Sequence, residues 1–454
     1  MKKEIDMINK SLFPQMMRFA MPIVMSSVLQ TLYNAADSLI VGRYGSSNAL
    51  AAVGTVGPIV NVILNLFMGL AVGTNVIAAR YFGAANHEMV KRTSDTALVT
   101  ALLSGILAGL LGIFIAAPVA EVVRIDPEII DMSVLYMQIY FLGLPFTAIY
   151  NFAASTMRGI GNTKGPMVCL VVSGMVNVVF NVIFVKYCGM QVEGVAIATV
   201  ISQVVSAVMI ICMLKKSRVG FSLKEMKPDK NIFKYTLKIG IPAGIQGMIF
   251  NISNTITISA VNSFGAAAAA ANTVAGQIEG IIYVAINSIT QTVTTFVSQN
   301  IGAQKPERLN KILVRGLAIS IVGGILMSAG FYVFRDFFNE LFAPGDADVA
   351  KYSLIKFDYV IIPYFLVAFM EIPAGMLRGM NETFIAMLMS LLGVCGFRVV
   401  WQLLIFPMHR TLGFLYISYP ISWLGTGLVY FAAYIILKKK LDKNITSGTA
   451  SLSM

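Results

Sequence analysis

Charge is what this chain of 454 residues has least of. Asp, Glu, Lys and Arg together make up 12% of it, about half the share of an ordinary soluble domain. Carboxylates are the scarcer sign, 22 against 34 bases, which leaves a net charge of +12. Only four cysteines occur (Cys169, Cys188, Cys212 and Cys395), and no two form a CxxC pair. That spacing supports neither a disulfide framework nor a thiolate metal cluster. The two histidines, His87 and His409, fall in loops and read as plain surface residues. No P-loop, HExxH, GxSxG or aspartate-rich pyrophosphate motif is present, so nothing points to ATP hydrolysis, a cofactor or an enzyme. The bases stand in short loops between apolar runs. That is the pattern of a polytopic membrane protein and not of a nucleic-acid binder.

Hydrophobic residues, by contrast, make up 57% of the chain, with a mean hydropathy of +0.76. A membrane helix needs about 20 mostly apolar residues. Twelve such runs are expected at approximately 15–41, 52–80, 94–119, 134–157, 166–186, 194–214, 236–262, 270–300, 312–334, 357–377, 384–407 and 412–437. They are long and continuously apolar, so they read as helices and not as alternating barrel strands. The N-terminus is charged and amphipathic with no A-x-A site after it, so the first run reads as a retained span and not a signal peptide. Lys and Arg set the orientation. With the N-terminus inside, the inner segments hold about 26 bases and the outer loops about 7. The inner set includes Lys2, Lys3, Arg80, Lys91, Arg92, Lys215, Lys216, Arg218, Lys305, Arg308 and Lys438 to Lys440. Both termini are therefore expected in the cytoplasm.

The apolar unit occurs twice, with a period of about 220 residues. Pro22 answers Pro242, Asn34 answers Asn254, Gly45 answers Gly265, Arg158-Gly159 answers Arg378-Gly379, and Thr163 answers Thr383. Gly83-Ala84 and Gly194 recur as Gly302-Ala303 and Gly413, one register earlier. Six spans per half is an even number, so the expected architecture is all-α, with two six-helix lobes related by a pseudo-two-fold along the membrane normal. The expected division is an N-terminal lobe at 1–214, a basic cytoplasmic linker at 215–235, a C-terminal lobe at 236–440 and a polar, disordered tail at 441–454. Duplicated lobes rocking about a shared site are a common transporter design.

Ionisable side chains at membrane depth are costly, so each calls for an explanation. Four stand out: Asp37, Glu279, Glu371 and Arg398. Asp37 faces Thr257 in the internal alignment, so this acid exists in one half only. It reads either as a proton or cation site or as a solvated structural acid near the outer interface. Asn177 and Asn181 lie four apart on one face of the fifth span, and Thr199 is on the sixth. With Asp37 they offer oxygen ligands suited to a hard cation, or equally an interhelical hydrogen-bond set. Glu279 and Arg398 read either as a structural ion pair or as functional charges. Glu371, just before Pro373, reads as a functional acid or as support for a kinked helix. Pro22 and Pro242 remove a helix hydrogen bond at matching places and mark either hinges or static kinks. The turns MRGIGNT and LRGMNET, and YFGAANHE and NIGAQKPE, read as structural elbows.

FAMPIVMSSVLQTLYNAADSLIVGRYG, the R-G-x-x-N-T turn and the twelve-span duplication resemble the multidrug and toxic compound extrusion (MATE) family over about residues 12–440. The resemblance implies a secondary antiporter with a central cleft between two lobes. It exports cationic, amphiphilic drugs or toxic compounds in exchange for Na+ or H+. In members with an N-terminal-lobe ion site, the ligands match Asp37, Asn177, Asn181 and Thr199. Some members carry a second Asp where this chain has Asn181, which leaves Asp37 as the lone titrating ligand. Pro22 matches a bending proline and Gln30 a cleft-lining glutamine, and Asn151, Glu279, Glu371 and Arg398 are further cleft candidates. Some members use an acid on the seventh span of the C-terminal lobe. This chain has none, which makes Glu279 on the eighth the substitute. The expected partners are a small cationic substrate and membrane lipid, with no nucleic acid and a monomer in the cell membrane.

Two other readings compete. One is a flippase for lipid-linked oligosaccharide, as in a related transporter group. Those proteins use several cavity cations, whereas Arg398 is the only base expected deep in a span here. The other is a passive channel or receptor, disfavoured by the duplicated lobes and lone acid.

Overall fold

The computed structural model describes residues 4–217, 219, 221, 225–342 and 345–446. Lys2, Lys3 and Arg218 of the inner basic set, and the tail from 447, lie outside the described residues. Among the described residues the chain is helical throughout, with no strand. The long helices are α1 (Leu12–Tyr44), α2 (Ser47–Gly83), α3 (His87–Val122), the bent pair α4 (Ile130–Leu142 and Leu144–Gly159), α5 (Lys164–Tyr187) and α6 (Val192–Lys215). The second half holds α7 (Lys230–Asn262), then α8 (Ala266–Gly302), α9 (Pro306–Val333), α10 (Ala347–Gly379), α11 (Thr383–Met408) and α12 (Leu412–Lys443).

Each expected span falls within one of these twelve, except that the ninth runs one residue past Val333. Ten are long and apolar enough to cross a membrane by themselves, and α4 is the eleventh, bent by 47°. The bend lies at Gly143-Leu144-Pro145, where the proline ring removes a helix donor. The twelfth, α7, is equally long but less apolar, because Gln246, Asn251, Ser253, Asn254, Thr255 and Thr257 interrupt it. The tenth span starts earlier than the hydropathy indicates. Its first helical stretch is Ala347–Lys356. It continues through a π turn at Phe357–Ile361 into Phe365–Gly379.

The chain forms two compact units, and their borders differ from the expected lobes. Unit 1 comprises Met1–Ile5 and Met21–Gly244; unit 2 comprises Asp6–Ala20 and Ile245–Met454. Each border cuts a long helix within two residues of Pro22 or Pro242. Described residues of the expected linker at 215–235 make contacts within unit 1. Glu225 pairs with Lys91 at 3.1 Å, the Lys227 N–H donates to Asp95, and α7 already begins at Lys230. The last helix runs on to Thr446, so the described part of the tail is ordered.

In unit 1, α3 shows how the composition makes a membrane helix. Gly105, Gly109 and Gly112 form one face, where a Cβ would fall 2.5 Å from Pro145 Cα, 2.8 Å from Phe141 O and 2.6 Å from the Phe141 ring. Leu103, Leu107, Leu110 and Phe114 point outward and are more than half exposed. Small residues inward and large apolar residues outward suit a lipid surround. Two GxxxG patterns also meet in unit 1. Gly69 and Gly73 of α2 abut Gly240, Gly244 and Thr236 of α7, with backbones too close for any side chain.

The repeat is visible in backbone detail. Ala85 and Gln304 both adopt positive φ, 56° and 55°, as do Gly161 and Asn381, 90° and 75°. These are the elbow motifs read from the sequence. In unit 1 the Asn75 amide donates to Ser155 O at 3.2 Å. In unit 2 Thr294 donates to Gly375 O at 3.1 Å, at the corresponding place.

Candidate functional site

The first span carries Asp37 as part of an unbroken helix through Pro22. The Ser26 hydroxyl donates to Pro22 O at 2.7 Å. Asp37 faces α5. There the i, i+4 spacing of Asn177 and Asn181 presents both amides on one face. The α-helical part of α5 ends at Asn181, and a π turn follows at Val182–Tyr187. Such wide turns commonly occur at functional positions.

The four residues are brought together in unit 1. Asn181 Nδ2 donates to Asp37 Oδ1 at 2.5 Å and lies 3.3 Å from Asn177 Oδ1. Asn177 Nδ2 donates to Thr199 Oγ1 at 3.3 Å, and the Thr199 hydroxyl donates to Val195 O at 2.9 Å. Asn181 is fully buried and Asn177 is 5% exposed. Asn181 Oδ1 is buried with no hydrogen-bond donor. A buried acceptor normally has a partner, so this oxygen is open to a cation or a water. Among the described residues no basic side chain lies within ion-pair distance of Asp37. Tyr136 and Tyr140 of α4 are close enough to interact with its charge.

Gln30 is exposed on α1, while Asn151 is half-buried and donates to Thr147 O of its own helix at 2.9 Å. Neither is hydrogen-bonded to the Asp37 cluster.

Unit 2 repeats the geometry with different chemistry. Thr257, the counterpart of Asp37, meets Gln402 Nε2 at 2.6 Å, in the place of the Asp37–Asn181 contact. The Arg398 guanidinium stacks 3.9 Å over the Tyr419 ring, where Asn177 meets Thr199 in unit 1. These α11 positions stand 221 residues after their partners, and the extra residue is absorbed by the π turn at Leu391–Gly396. A neutral hydrogen bond and a stacked guanidinium thus replace the acid cluster.

The expected Glu279–Arg398 pair does not form. Glu279 Oε2 binds Lys356 Nζ at 3.0 Å instead. Arg398 is 3% exposed and donates through Nε to Ser422 Oγ at 3.2 Å. Each group takes a partner on another helix, Glu279 the Lys356 ammonium of α10 and Arg398 the Ser422 hydroxyl of α12. Glu371, also 3% exposed, pairs with Arg378 at 3.6 Å. Arg378 in turn donates to Gln246 Oε1 at 3.2 Å. Gln246 then donates to Ser390 Oγ at 2.7 Å. Arg398 is therefore not the only base deep in a span. Lys356 was missed because it borders a polar loop in the sequence, yet only 4% of it is exposed.

The comparisons agree with this architecture. The family described as MatE matches residues 22–183 and 242–404, both halves of the repeat. The chain belongs to that family, which consists of multi-pass membrane transporters and not enzymes. Among its relatives is the probable multidrug resistance protein YoeA of Bacillus subtilis, 26% identical over 73% of this chain and 74% of that one. Another is the probable multidrug resistance protein NorM of Thermotoga maritima, 23% identical over 87% and 84%. Among solved structures, one described as the outward-facing conformation of a multidrug resistance MATE family transporter superposes with a TM-score of 0.89. It covers 97% of this chain and 99% of that chain, at 22% identity.

Proposed function

We propose that this protein is a secondary antiporter of the cell membrane. It exports cationic amphiphilic compounds by alternating access in exchange for Na+ or H+, with both termini cytoplasmic and the monomer as the working unit. The observation that carries the reading is the convergence of Asp37, Asn177, Asn181 and Thr199 around one acid that has no base within ion-pair distance among the described residues. The carboxylate, the Asn181 and Asn177 carbonyls and the Thr199 hydroxyl form an all-oxygen set suited to a hard monovalent ion. A proton on Asp37 would neutralise it equally. The names of the relatives, multidrug resistance proteins, support a small-molecule substrate. Pro22 and Pro242 are the proposed bending points, since each leaves a helix carbonyl without its usual donor.

The test is export of a fluorescent cationic dye from liposomes under an imposed Na+ gradient or an imposed pH gradient, with the natural protein and Asp37→Asn. Export driven by one gradient and lost in the variant identifies the coupling ion. Undiminished export by Asp37→Asn at equal protein would overturn the mechanism. Indifference to both gradients would favour lipid-linked oligosaccharide flipping, testable by complementation of a flippase-depleted cell.

A further inference from the structure

Lys356 lies in a polar cage within unit 2, at the end of the first helical stretch of α10. Its Nζ sits 3.0 Å from Glu279 Oε2, 2.9 Å from Asn272 Oδ1 and 3.4 Å from Asn272 O. An ammonium has three donors and no acceptor, and here it finds three oxygens. The Tyr416 hydroxyl donates to Asn272 Oδ1 at 3.3 Å and braces that amide. The Tyr416 ring presents its face 6.0 Å from Nζ, within reach of a cation–π attraction. A carboxylate, an amide carbonyl and a main-chain carbonyl are also what a small hard cation would choose. The side chain of Glu279 is 23% exposed while that of Lys356 is 5% exposed, so the cage opens on the glutamate side.

We propose that the Lys356 ammonium is a resident, covalently tethered cation in a seat that would otherwise take a monovalent metal ion such as Na+. The repeat supports the assignment. The residue 220 positions before Lys356 is the uncharged Tyr136, so this position of unit 1 supplies no built-in counter-charge. Unit 2 has no acid in the place of Asp37, carries Arg398 over Tyr419, and pairs Glu279 with a lysine. The pair is neutral and fixed, so unit 2 carries no exchangeable coupling ion, and an ion bound per cycle belongs to unit 1. The inference deepens the antiport reading but concerns unit 2 alone.

The experiment measures 22Na+ binding to the full-length protein purified in detergent, in an Asp37→Asn background that silences unit 1. Adding Lys356→Met is expected to create one Na+ equivalent per protein, together with a Na+-dependent rise in melting temperature. Both effects are expected to vanish when Glu279→Gln is added. A folded Asp37→Asn/Lys356→Met protein that gains no Na+ would overturn the proposal. Glu279→Gln alone, with Asp37 and Lys356 intact, guards against a lysine variant that does not fold. Unchanged Na+ binding there supports the proposal, and a lost equivalent overturns it. Proton coupling at Asp37 would leave the comparisons in the Asp37→Asn background intact.

Discussion

A single amide decides how the Asp37 carboxylate is held. Asn181 spends one N–H on Asp37 and keeps its own carbonyl oxygen unpaired. An Asn181→Leu variant removes both at nearly constant volume. It is expected to lower ion-driven dye export at least tenfold while the protein still purifies as a folded monomer. Export within twofold of the natural protein would mean that Asn181 only ties helices together. Arg398 makes the opposite kind of contact. Its planar guanidinium stacks on Tyr419 and is also 5.7 Å from Trp423. Lysine keeps the charge but not the plane. Arg398→Lys is expected to cost about 1–2 kcal/mol of stability, read as a lower melting temperature in detergent. Asn177 and Asn181 on one helix face were legible from their spacing alone. Lys356 was not, because a lysine beside polar residues reads as loop until the fold shows the helix starting ten residues earlier.

Helix faces carry the next level. Gly69 of α2 lies directly against the Gly244 backbone of α7, and Gly240 against Leu70. A side chain at either point must push two helices apart. Gly240→Val is expected to destabilise by about 2–3 kcal/mol or more, or to prevent accumulation in the membrane. Gly54, in the same α2, has open space where its Cβ would be. Gly54→Ala is expected to be neutral or to stabilise by about 0.5–1 kcal/mol through backbone entropy. Melting temperatures of the pair measured side by side separate packing glycines from incidental ones, and equal losses would contradict the close approach. The sequence displays both sets of glycines without distinguishing them, since hydropathy and spacing say nothing about which face meets a backbone. The bend in α4 was partly legible, because proline after glycine marks a break; its 47° angle was not.

At the scale of the molecule, the four free cysteines report on orientation. Cys188 and Cys212 are exposed, Cys188 just after the α5 π turn and Cys212 in the last turn of α6, while Cys169 and Cys395 are buried. With both termini inside, the turn at Cys188 faces the cell exterior. A membrane-impermeant maleimide is expected to label it in intact cells and to lose most of its signal in Cys188→Ser. Labelling only after the membrane is opened would reverse the topology.

The number of spans, their helical nature, the duplication and the lone first-span acid were all set by composition and periodicity. Lipid demands long apolar helices, and a 220-residue echo survives in the residues that form elbows. Which side chains meet was decided by the tertiary structure. Glu279 took Lys356 and not Arg398, Thr257 took Gln402, and the unit borders moved into α1 and α7. Distances across helices depend on register, on π turns that shift it by one residue, and on glycine faces that set the approach. None of these is local in sequence.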